Sequence, residues 1–202
     1  MTYLKTKISK VADLTKNMVY FDTPGSFFAG FQEAFQTVRS QILKLETKQI
    51  YDESGNESFD LWQKGEERLA IELLPKVKLG EIPLYQDQAR RGIEFVRCRP
   101  IIFPLSNYLR WEIHCYDFNS SQGEKIFFLD NNRNLELLEY ATHDFMVFDS
   151  LIAFVHDYDQ NGLIHGGWIS KDERIINDLT SLYALIRARS INYKAFLSEY
   201  SS

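Results

Sequence analysis

The stretch from residue 145 to residue 169 constrains the fold more than any other part of the chain. Phe145–Phe148, residues 151–158 and residues 163–169 are three short runs rich in aromatic and β-branched side chains. The last two runs are separated by Asp159-Gln160-Asn161-Gly162, where Asn-Gly supplies the positive φ angles of a hairpin turn. A lone hairpin is marginal in water and must bury its apolar face against something else. Helical patterns stand on both sides of it to provide that cover.

Upstream, Thr23-Pro24 is a helix start. Phe28, Phe31, Phe35, Val38, Ile42 and Leu45 then step by three and four residues, which predicts one helix through Leu45. The same stripe fits about two and a half heptads, so it reads either as a core-facing helix or as a dimerising seam through Phe28, Phe31, Phe35, Val38 and Ile42. A helix over residues 59–74 is interrupted near Gly65 and ended by Pro75; another over residues 81–91 stops at Gly92, a left-handed C-cap. Residues 93–102 form a strand, with Pro100 marking an edge or a bulge. Residues 105–117 fit either period, alternation or a polar stripe at Asn107, Arg110, His114 and Asp117; the helix is preferred. Residues 125–129 are a short buried strand. Ser170-Lys171-Asp172-Glu173 is a capping box that opens a last helix to about residue 197, with Ile176, Leu179, Tyr183 and Ile186 on its apolar face. This order predicts an α/β fold, a mixed sheet covered by helices, in one domain over residues 23–202 after an N-terminal arm over residues 1–22.

Composition narrows the function classes. The chain has 202 residues, 45% of them hydrophobic and 25% charged, enough for one sizeable core. A net charge of −5 argues against a protein that coats nucleic acid, which must neutralise phosphates with clustered Lys and Arg. Cys98 and Cys115 are too few for a disulfide framework. The sequence contains neither a membrane-length apolar run nor a signal core, so the cytoplasm is the default address.

The densest positive cluster is Arg90, Arg91, Arg97, Arg99 and Arg110. On a strand, Arg97 and Arg99 share a face. With Ser106, Tyr108 and Arg110 from the next element they could line a pocket for a small anion, which the guanidinium fork suits. The competing reading is structural pairing of these arginines with Glu94, Glu112 and Asp149. With residues 105–117 helical, Arg110 is expected on the Arg97/Arg99 face and Glu112 in a separate contact. His156 and His165 flank the hairpin turn, but with Asp157 or Asp159 their spacing matches no zinc pattern. Asp157, Asp159, Asn161 and Gly162 start like a calcium loop, yet Trp168 stands where its final Glu belongs. No metal or cofactor is expected.

Several runs, in order, carry a resemblance: residues 91–99 (RGIEFVRCR), residues 104–112 (PLSNYLRWE), Gly123-Glu124-Lys125-Ile126 and residues 144–149 (DFMVFD), with Leu45-Glu46 and Tyr51 upstream. Together they resemble domain of unknown function 6879, an actinobacterial-type family, over most of the chain. That resemblance implies a regulatory or conflict-system setting, with a helix-turn-helix regulator as the expected protein partner. The C-terminal half is also similar to one half of the phospholipase-D-like fold. There, Phe145 stands where the Lys of the His-x-Lys motif belongs, so His143 is left as a lone candidate nucleophile. The expectation is a non-catalytic regulatory or sensing domain that binds a protein partner or a small anionic ligand. Two alternatives stay open: a diverged phosphodiesterase or nuclease acting through His143, and a dimeric structural adaptor.

Overall fold

A computed structural model describes residues 8–200. Eight strands form one mixed sheet: β1 (Val19–Phe21), β2 (Gln41–Leu45), β3 (Glu94–Ile101), β4 (Lys125–Asp130), β5 (Phe145–Phe148), β6 (Ile152–Tyr158), β7 (Ile164–Ser170) and β8 (Ile191–Asn192). Their order is β1-β7-β6-β5-β2-β3-β4-β8. β2, β3 and β4 are parallel, and the remaining pairings are antiparallel. The helices are α1 (Val11–Leu14), α2 (Pro24–Thr37), α3 (Glu57–Gln63), α4 (Glu67–Val77), α5 (Ile82–Arg91), α6 (Asn107–Ser121), α7 (Leu135–Leu138), α8 (Glu173–Ala188) and α9 (Tyr193–Tyr200). The mixed α/β architecture read from the sequence is the one observed.

Strand alternation sorts the core into two faces. Leu43, Leu45, Val96, Cys98, Phe145, Val147 and Val155 face α8, whose Ile176, Leu179, Tyr183 and Ile186 cover them as expected. The opposite face is covered in two patches. Phe27 and Ala34 of α2 lie on Ile42, Phe95, Met146, Phe148 and Phe154. Leu109, Trp111 and Tyr116 of α6, with α3, α4 and α9, lie on Ile101, Ile126 and Phe128. Between these patches, Lys44, Arg97 and Arg99 occupy the positions that alternation assigns to the same face.

Several boundaries differ from the sequence reading. The helix after Pro24 stops at Thr37, and Gln41–Leu45 turns into β2. Two side chains satisfy the backbone freed there: Arg91 donates to the carbonyls of Phe35, Gln36 and Val38, and the Asp149 carboxylate accepts from the amides of Arg39, Ser40 and Gln41. Pro75 lies inside α4 rather than beyond it, and the helix runs on to Val77. Pro100 sits in β3, a central strand, but β2 has already ended at Leu45, so the proline faces no ladder partner on that side. The Gln49 amide fills the gap, donating to the Pro100 carbonyl at 3.0 Å. The cap of α8 is Asp172, accepting from the amides of Arg174 and Ile175; Ser170 still belongs to β7. The last helical stretch breaks after Ala188, because Ile191 pairs with the open edge of β4 before α9 begins. In the hairpin turn only Gly162 takes a positive φ; the Asp159 carboxylate holds the rest by accepting from the amides of Asn161 and Leu163. Residues expected to form an arm are built into the fold: Val11 and Leu14 join the α8 core, and β1 pairs with β7. The start of that arm, residues 1–7, lies outside the described residues. No described helix is long and apolar enough to cross a membrane.

Candidate functional site

The polar interval between the two patches opens into a cleft of about 340 Å³. Its floor is Lys44, Glu46 and Arg97. Its walls are Tyr51 and Glu53 from the loop after β2, Lys78 and Glu81 between α4 and α5, Tyr108, Glu112 and Asn119 of α6, and Tyr158 and residues 162–164 of the hairpin. Helix α6 forms because Ser106 caps it, accepting from the Leu109 amide at 3.0 Å while donating to the Gln49 carbonyl at 2.7 Å. Tyr108 and Glu112, one turn apart, therefore point toward the sheet together.

Beneath the floor lies a buried ionic network. Glu46 Oε1 accepts from Arg97 Nη1 at 2.8 Å and lies 2.7 Å from Lys44 Nζ. Glu46 Oε2 accepts from Arg99 Nη1 at 3.0 Å and from the Tyr116 hydroxyl at 2.8 Å. Arg97 also clamps Glu124 through Nε (2.5 Å) and Nη2 (3.2 Å), and the Tyr85 hydroxyl donates to the same carboxylate at 2.9 Å. Arg99 donates to the Lys48 carbonyl at 2.7 Å and stacks on the Tyr51 and Tyr108 rings. Burial alone would raise the Glu46 carboxyl, but Arg97, then Lys44 and Arg99, outweigh it and hold the group well below the usual carboxylate range. Burial pushes the hydroxyls of Tyr51, Tyr108, Tyr116 and Tyr158 up, so all four are neutral donors at physiological pH.

Glu112 and Glu53 are treated differently. The Tyr108 hydroxyl donates to Glu112 Oε2 at 3.0 Å and lies 3.5 Å from Glu53 Oε1. Neither carboxylate is within ion-pair distance of a cation among the described residues, and burial raises both above the ordinary glutamate value. By contrast, each cation of the lining has a carboxylate partner: Lys44 has Glu46, Arg97 has Glu46 and Glu124, and Lys78 has Glu81 at 2.8 Å.

The hairpin wall is pinned from the far side by Asp144. This buried carboxylate accepts from the Thr47 amide (2.6 Å) and hydroxyl (2.8 Å) and from the hydroxyls of Tyr51 and Tyr158. Behind it is a smaller cavity of about 160 Å³ lined partly by His143 and His156. Burial drives the His156 imidazole down to about 4, so it is neutral at physiological pH.

Arg97, Arg99 and Tyr108 thus come together as the sequence suggested, but both arginines are already engaged. Their partners are Glu46 and Glu124, not Glu94, Glu112 and Asp149. Glu94 instead meets Lys125 and Gln41, and Asp149 caps backbone amides. Ser106 serves α6 and does not line the cleft. Arg110 is on the outer side of α6, bonded to Asn107 at 2.9 Å and 3.7 Å from Glu67, so the expected places of Arg110 and Glu112 are exchanged. His143 lies before β5 with its ring edge against Trp168 and Nδ1 at 2.9 Å from the Thr142 hydroxyl. His165 sits at the register shift of the hairpin beside Asp157 and Tyr20, while His156 packs on Phe27 and Phe31. Glu46, Glu124, Tyr51, Tyr116, Asp144 and Tyr158 were not among the candidate site residues.

Comparison with known proteins adds a family and little else. Residues 29–198 match the model of a family described as domain of unknown function (DUF6879). No curated protein matches the chain. Among solved structures, TrmBL2, described as an archaeal chromatin protein with a novel mode of DNA binding, is similar at 10% identity and a TM-score of 0.47. The likeness covers 86% of this chain and 53% of that one, so the chain spans about half the length of that protein.

Proposed function

Because the chain belongs to the DUF6879 family, whose description assigns no activity, function has to be argued from the site, and we propose a non-catalytic sensing domain that holds a small polar ligand in the cleft above Glu46 and Arg97. The observation that carries this reading is the preformed ionic network in and beneath the cleft's polar floor. Glu46, Arg97, Arg99, Glu124 and Tyr116 fix one another in a buried network before any ligand arrives, and such preorganisation favours binding. The histidines and cysteines that could act as nucleophiles do not line it. A response would pass to a protein partner, with a helix-turn-helix regulator as one candidate. Leu79 and Leu84, exposed beside the Lys78–Glu81 rim, offer such a partner apolar contact.

A thermal-shift screen with amines, carboxylates, phosphates and nucleotides tests the proposal. At least one class is expected to raise the melting temperature saturably, as a ligand of the native state must. Leu163→Trp, which adds bulk at an exposed position of the cleft rim, is expected to abolish that rise whatever the ligand's charge. The reading fails when no class shifts the transition, or when Leu163→Trp leaves every shift intact.

A further inference from the structure

Resting on that reading of the cleft as a ligand site, we infer that its ligand presents a compact organic cation, a primary ammonium or guanidinium group, to Glu112 and Glu53 around the Tyr108 hydroxyl. Three observations lead there. The first is charge: the lining carries the carboxylates Asp52, Glu46, Glu53, Glu81 and Glu112 against only Lys44, Lys78 and Arg97. Each of those cations has a carboxylate partner, Glu46 being shared by Lys44, Arg97 and Arg99, whereas Asp52, Glu53 and Glu112 have no bonded cation among the described residues.

The second is hydrogen-bond arithmetic. A tyrosine hydroxyl has one proton. The Tyr108 oxygen lies 3.0 Å from Glu112 and 3.5 Å from Glu53, so it serves one carboxylate at a time and the other lacks this donor. Among the described residues Glu53 has besides only the Asn56 amide, at 3.2 Å. The third is independent of the carboxylates. Asn119, 3% exposed and lining the same cleft, has a side-chain oxygen with no hydrogen-bond partner. Two carboxylates and an amide oxygen are all acceptors. Glu53 and Glu112 call for a group with several N–H donors and a positive charge, and Asn119, two turns farther along α6 (roughly 10 Å along the axis), for a second donor elsewhere on the same ligand.

An organic cation fits better than a metal ion. The described residues contain no group of three or more His, Cys, Asp or Glu side chains placed to hold a metal. A cleft of about 340 Å³ also has room for a molecule well beyond a single ion. Burial raises the carboxyls of Glu112 and Glu53 above the ordinary glutamate value, and a cation bound beside them would oppose that shift.

The test is calorimetric titration of the full chain with agmatine, which carries both an ammonium and a guanidinium group, and with succinate as the anionic control. Agmatine is expected to bind saturably, and more weakly as pH falls into the carboxylate range. Glu112→Gln and Glu53→Gln should each weaken it about tenfold or more, since each removes one charge-assisted contact. Leu163→Trp should abolish it. Glu53 is partly exposed, so its variant carries the test even where Glu112→Gln perturbs folding. Succinate binding that Leu163→Trp blocks, with agmatine inert, would overturn the cation while leaving the cleft as a ligand site. Agmatine binding indifferent to both glutamine variants would also overturn it. No binding by either probe or by any class of the wider screen would remove the site itself.

Discussion

Two buried glutamates, Glu46 and Glu112, show how one side-chain type is driven in opposite directions by its neighbours. Glu46 is surrounded by Arg97, Lys44 and Arg99, and its carboxyl is held well below the usual range; Glu112 lacks a bonded cation among the described residues and is raised by burial. The linkage signs follow. A depressed carboxyl contributes stability that is present above its unfolded value and lost as pH falls toward its folded value. A raised one contributes stability that is present below its unfolded value and lost as pH rises through its folded value. Glu46→Gln leaves Arg97 and Arg99 short of their shared carboxylate and is expected to cost about 3–5 kcal/mol at neutral pH, read by denaturant melts. Glu112→Gln is expected to leave stability at neutral pH unchanged or higher, and to flatten its decline as pH rises above the ordinary carboxylate range. A loss as large as that of Glu46→Gln would show that Glu112 is a structural anion instead. The pairing of Arg97 and Arg99 on one face was legible, because strand alternation is local. Their carboxylate was not: Glu46 lies just past another strand, and only the order of β2 beside β3 brings it there.

At the scale of elements, the sequence identified most helices and strands and misplaced the joins. The stripe from Phe28 to Leu45 is continuous at helical spacing, yet its second half is also aliphatic enough to serve as a strand. The deciding groups are remote: Asp149, after β5, takes the amides of Arg39, Ser40 and Gln41, and Arg91, at the end of α5, takes three carbonyls of the α2 C-terminus. Asp149→Ala is expected to cost about 1–3 kcal/mol, the loss of charge-assisted hydrogen bonds that water at this exposed junction replaces only in part. Hydrogen exchange should then quicken at residues 39–41 before it changes in α8. Uniform exchange across the chain would mean that the junction opens only with global unfolding. A second element-scale constraint is Gly167 of β7, where an added Cβ would meet the Val155 carbonyl at 2.4 Å and the Phe27 ring at 2.6 Å. Gly167→Ala is therefore expected to lower stability by about 1–3 kcal/mol through overpacking between β7 and α2, measurable in the same melts.

For the molecule as a whole, the question is whether the aromatic stripe of α2 is spent inside one chain or kept for another. Phe27, Ala34, Val38 and Ile42 are buried in the core over β5 and β6, and Phe31 and Phe35 pack on it. Phe31 meets Phe148 and Phe154 at ring-centroid distances of 5.6 and 4.7 Å, and Phe35 meets Phe148 at 5.0 Å. Of the residues that could form a dimer seam, Phe28 is the one left largely open, at 40% exposure. A seam needs a repeated row of apolar knobs, and one phenylalanine does not make a row. Light scattering is accordingly expected to return the mass of a single chain from low to high micromolar concentration, and Phe28→Asp should leave that mass and the melting curve almost unchanged. Phe27→Ala, which empties a fully buried site, should instead cost about 3–5 kcal/mol. A concentration-dependent mass that Phe28→Asp restores to one chain would reverse the assignment: the exposed end of α2 would then be an interface, and the core beneath it only its support.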